Sequence, residues 1–118
     1  MERVHFITHK SARILKVDLS HSASVEENID ALSKARAVIV TMPPKSLLIV
    51  TDVTKTHFNV GAVEELKKFS KFLTPFVKAS AVLGAIGIIY DAVVKLAGRE
   101  IVRFDTEAQA LDWLAAQQ

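Results

Sequence analysis

The segment SLLIVTDV at residues 46–53 constrains the fold more than any other stretch of this chain. Leu47, Leu48, Ile49 and Val50 follow one another without a polar break, although successive residues of a strand face opposite sides. A strand that is apolar on both sides has to be covered on both sides, the condition of a central strand in a parallel sheet. Residues 77–83 read as another buried strand, and the run that continues as far as Tyr90 contains Gly84 and Gly87, which suit a tight turn and the start of a helix. A chain of 118 residues that is 50% apolar and 24% charged can bury one core of this kind. It reads as a single domain over residues 1–118.

Composition excludes several classes. With no cysteine there is no disulfide framework, thiolate nucleophile or zinc ribbon, and a reducing, cytoplasmic setting is expected. Fifteen Lys and Arg against thirteen Asp and Glu leave a nearly balanced surface without the clustered basic patch that nucleic acid requires, so no nucleic-acid partner is expected. The N-terminal ten residues carry Glu2, Arg3, His5, His9 and Lys10, unlike a secretory signal. The longest apolar run, residues 79–90, falls short of the roughly 20 residues that a spanning helix needs, so no integral membrane segment is expected.

The elements follow from spacing. Residues 3–8 and 13–19 are β-rich and separated by a polar turn around Ser11, the pattern of a hairpin. Ser24 with Glu27 makes a capping box before Val25, Ile29, Leu32, Ala35 and Ile39, which recur at helical spacing. Pro43 and Pro44 stop that helix near Thr41 or Met42. A second helix, capped by Asn59, carries Val63, Leu66, Phe69 and Leu73, with acidic residues early and lysines late, as the helix dipole favours. A third is expected from Ile86 or Gly87 to Gly98. A short strand at 101–104 and a fourth helix capped by Thr106 with Gln109 complete the order ββαβαβαβα. Phe72 widens the apolar face of the second helix, either against the sheet or exposed to a partner; Trp113, the only tryptophan, is expected to fill the core or partly cover the sheet. The fold class is α/β: a five-stranded, mostly parallel sheet with four helices.

This order, with TDVT at 51–54, KASAVLGAIG at 78–87 and REIVRFDTEAQALDWL at 99–114, resembles the bacterial stand-alone STAS-like domains, named for sulphate transporters and anti-sigma-factor antagonists. The fold is also similar to CRAL-TRIO lipid-transfer domains. The resemblance covers almost the whole chain and implies a cytoplasmic, non-enzymatic regulatory or interaction domain. In the antagonist branch a serine after an aspartate at the start of the second helix is phosphorylated by the partner kinase. That position falls at Gly61 or Ala62, and neither has the hydroxyl such a switch requires.

Four histidines raise the question of a metal. His5 and His9 share a strand face but lie about 13 Å apart at ~3.3 Å per residue, too far to share one ion. His21 and His57 both follow strands, which leaves two readings, a close approach to each other and to Asp52 at the shared strand-end edge or solvated loop residues, and the missing ligand-spacing motif favours the second. There is no G-x-S-x-G, Walker loop or zinc-protease motif, so no catalytic residue, metal or cofactor is assigned. Candidate binding residues gather where the strands end: Asp52, Thr54, Lys55, Thr56, His57 and Asn59, with Gly84 and Gly87 beside them. Gly84 and Gly87 admit two roles, an anion-holding turn at a helix start or close packing. The expected partner is another protein, with a homodimer admissible; the alternative is a carrier of a small apolar ligand or lipid.

Overall fold

The polar turn after the first β-rich stretch reverses the chain as expected. In the computed structural model, which describes residues 3–22, 24–56, 60–84 and 101–118, β1 (Val4–His9) and β2 (Ala12–Asp18) pair antiparallel, from Val4 opposite Val17 to His9 opposite Ala12. Only Lys10 and Ser11 remain for the turn, and both take positive φ, 49° and 68°. That sign lets a two-residue turn match the right-handed twist of its strands.

From β2 the chain advances one strand at a time. α1 (Val25–Ile39) leads to β3 (Leu47–Asp52), α2 (Val60–Leu73) leads to β4 (Val77–Leu83), and β5 (Val102–Phe104) pairs beyond it. The five strands lie in the order β1-β2-β3-β4-β5, with β2 to β5 parallel. Crossovers that advance the same way with the same hand put α1 and α2 on one face. On that face Leu15, Val17, Leu47 and Ile49 meet Leu32, Ala35, Ile39, Leu66, Phe69 and Leu73. The intervening residues of the same strands, Ile14, Leu48, Val50, Ala81 and Leu83, point the other way. There α3 (Glu107–Ala115) covers them with Ala110, Leu111, Leu114 and Ala115. The sheet is thus apolar on both faces, as the run at 46–53 requires.

Both sequence caps form. Ser24 accepts from the Glu27 backbone N–H at 3.3 Å and Thr106 accepts from Gln109 N–H at 3.3 Å. α1 ends at Ile39, before the two prolines. One member of its expected apolar face is corrected: Ile29 is 42% exposed, and the buried face runs through Asn28, Ala31, Leu32, Ala35 and Ile39. The sheet meets α1 one residue off the stripe drawn through the largest side chains. Phe72 is half-buried rather than exposed, stacked on Phe69 at 6.4 Å and tilted onto Phe76 at 5.4 Å. Trp113 is also half-buried, 5.7 Å from Phe104. β5 begins at Val102, one residue late. The described chain has three helices, not the four expected; the helix anticipated at 86–98 lies outside the described residues. Among these, no helix is long and apolar enough to cross a membrane.

Among the described residues α3 is the helix that covers this face, so its start sets how that cover docks. Thr106→Ala is expected to cost on the order of 1 kcal/mol, read as a lowered urea midpoint at unchanged slope.

Candidate functional site

Where the parallel strands end, the loops are tied together. Leu19 N–H donates to the Asp52 carbonyl at 2.8 Å, His21 N–H to the Thr54 carbonyl at 2.9 Å and Val53 N–H to the Leu83 carbonyl at 2.9 Å. The Thr56 hydroxyl donates back to the Leu19 carbonyl, and the Asp52 carboxylate accepts from Thr54 N–H at 3.0 Å. This last contact is an Asx turn, the short-range bond that aspartate makes where a strand gives way to a loop. His21 and Lys55 take left-handed φ of 56° and 52° and are exposed.

Beneath this edge Asp18 is buried. Burial opposes its charge. The Ser20 hydroxyl and backbone N–H, assisted by the positive charges of Lys16 and Arg3, outweigh burial and hold the carboxyl below its ordinary range. Arg3 Nη1 also donates to the Asp18 and Ser20 carbonyls at 3.0 and 3.2 Å, fixing the start of the chain to this loop.

The structure therefore brings together Asp52, Thr54, Lys55, Thr56 and Gly84. His57, Asn59 and Gly87 lie outside the described residues. Gly84 takes the packing role. Its φ is +80°, and a Cβ there would stand 2.5 Å from Thr54 Oγ1 and 2.7 Å from Thr54 Cα, closer than side chains come. Gly61 and Ala62 fall in the first turn of α2. No group of three or more metal-ligating side chains exists among the described residues. His9 has a structural partner instead: its Nε2 donates to Asp112 Oδ1 at 2.7 Å, beside Lys10 Nζ at 3.0 Å. These two hydrogen bonds hold the Asp112 carboxyl below its ordinary range.

Sequence reasoning missed the opposite end of the sheet. Below the starts of β3 and β4 lies a concavity of about 600 Å³, walled by Phe6, Met42, Pro43 and Leu48 and rimmed by Arg13, Lys45, Ser46 and Lys78. A second of about 340 Å³ shares Lys45 and Lys78 and is closed by Trp113 and Gln117. The signal available in the sequence was the Pro-Pro-Lys-Ser connection at 43–46, which puts a cation directly before a buried strand.

No family model matches the chain, and neither does any curated protein or solved structure.

Two outcomes follow from this geometry. Gly84→Ala is expected to destabilise by on the order of 1–3 kcal/mol in chemical denaturation. Adding Thr54→Ala should not restore stability, because Thr54 Cα and N also obstruct the new Cβ. For Asp18 the depressed pKa means stabilisation that is complete above the ordinary carboxylate range and lost as pH falls through the folded value. The stability difference between wild type and Asp18→Asn, from urea midpoints, should hold steady from neutral pH to about pH 5 and shrink on further acidification. A difference that widened in acid would contradict this account of Asp18.

Proposed function

We propose that this chain is a non-enzymatic interaction module of the STAS-like type, acting in the cytoplasm, that engages another protein through the edge where its parallel strands end. The observation that supports this reading is the bracing of two separate loops into one surface. The loop after β2 and the loop after β3 are joined by His21 N–H to the Thr54 carbonyl and by the Thr56 hydroxyl to the Leu19 carbonyl. His21 and Lys55 are left exposed on that braced support. Little ordering entropy remains to be lost there on binding, which is how a rigid scaffold favours recognition.

The Thr56 hydroxyl is engaged with the backbone and Thr54 is packed on Gly84. Gly61 and Ala62 have no hydroxyl at all. Binding through this edge is therefore constitutive rather than phosphate-gated. A carrier with an interior chamber is the less favoured reading, because the side chains between sheet and helices form a continuous cluster on each face.

Site-specific photo-crosslinking in the native host tests the proposal. A crosslinker at Lys55 should capture a discrete protein that one at Lys34, on the exposed side of α1, does not, and His21→Glu should abolish the capture. Identical products from both positions, or capture indifferent to His21→Glu, would overturn it. Intact mass of the native protein should show no phosphate on Thr54 or Thr56.

A further inference from the structure

We propose that the concavity below the starts of β3 and β4 is a binding site for a small organic anion, whose apolar body lies on Phe6, Met42 and Leu48 and whose charge is met by Arg13, Lys45 and Lys78. Three independent observations carry this.

The first is charge. Among the described residues, neither this concavity nor its neighbour has an aspartate or glutamate side chain in its wall, the larger one being lined also by Gln118, in a chain whose acids nearly equal its bases. Five lysines elsewhere meet carboxylates, Lys10 with Asp112, Lys16 with Glu107, Lys34 with Asp30, Lys67 with Glu64 and Lys68 with Glu65, while Lys55 and Lys71 stand apart on the surface. The three cations at this rim pair with no aspartate or glutamate among the described residues. Arg13 lies over the Phe6 ring at 3.9 Å and Lys45 Nζ donates to the Thr74 carbonyl at 2.9 Å. These partners orient Arg13 and Lys45 without neutralising them.

The second is backbone. Lys78 is the extra residue of a β-bulge: Leu47 pairs with Val77 and Leu48 with Ala79, so Lys78 has no opposite number. A bulge re-aims the side chain it carries, and Lys78 lines both concavities. Lys45 takes a left-handed φ of 57°, a conformation that costs a non-glycine residue on the order of 1 kcal/mol or more. Both irregularities thus fall on cations of the same rim.

The third is size and lining. A volume of about 600 Å³ lies within the range of small-molecule sites, about 300–1,000 Å³, and the combination of an apolar wall with a few convergent polar groups is typical of them. An apolar body without charge would leave the cations unmatched, and inorganic phosphate would leave the wall uncovered. The site uses the end of the sheet opposite His21 and Lys55, so the failure of either proposal leaves the other standing.

Trp113, in the wall of the adjoining concavity, is the only tryptophan and serves as the reporter. Laurate, titrated below its micellar concentration into the full chain, should change Trp113 emission saturably, while dodecyltrimethylammonium at equal concentration should not. Lys45→Glu with Lys78→Glu should weaken laurate at least about tenfold, and Lys34→Glu should leave it unchanged. In wild type alone, laurate affinity should fall as salt is raised, a readout that does not depend on any variant folding. Equal binding of the cationic amphiphile, indifference to the Lys45 and Lys78 substitutions or to salt, or an equal response to inorganic phosphate would each overturn the proposal.

Discussion

Everything in this fold depends on β3 being apolar on both of its faces. Each fully buried aliphatic side chain contributes about 1.5–3 kcal/mol relative to exposure. Leu47 and Ile49 direct that contribution toward α1 and α2, and Leu48 and Val50 direct it toward α3. Neither face can be left to solvent, so helices on one side cannot suffice. The same property removes a safeguard. A one-residue slip exchanges the two faces of a strand, and in β3 the exchange would swap apolar for apolar. Register must then come from neighbours: Lys16 of β2, paired with Glu107 at 3.1 Å on the α3 side, and the backbone bonds from Leu19 to Asp52 and from Val53 to Leu83.

Much of this was legible because the informative residues act locally. Proline without an amide hydrogen ends α1 whatever surrounds it. A hydroxyl three residues before a glutamate or glutamine caps a helix through a contact spanning one turn, and both such contacts formed. Long-range choices were not legible in the same way. Ile29 fits the helical repeat as well as Leu32 does, and only the line along which the sheet meets α1 leaves it exposed. Whether Phe72 faced solvent or core depended on Phe76, which comes after the helix and packs back on it.

The candidate site divides along the same line. Sequence reasoning favours the strand-end edge because polar residues after a buried strand are conspicuous, and Asp52, Thr54, Lys55 and Thr56 do gather there. What those side chains do was not readable, since the Thr56 hydroxyl meets a carbonyl 37 residues away. The cationic rim at the other end had almost no signature. Lys78 looks like an ordinary strand lysine in KASAVL, and its placement follows from a bulge that exists only once β4 has paired with β3.

The cover that α3 gives to one face of the sheet has a consequence for synthesis. The helix is nine residues long and comes last among the described elements, whereas most of the surface it covers belongs to β2, β3 and β4. While the ribosome is still translating, those strands can pair and α1 and α2 can close one side, yet Ile14, Leu48, Val50, Ala81 and Leu83 lack the cover of Leu111 and Leu114 until α3 has emerged. Exposed apolar strand surface is what makes partly folded chains aggregate. A nascent-chain chaperone would have most to hold before α3 has docked on the sheet.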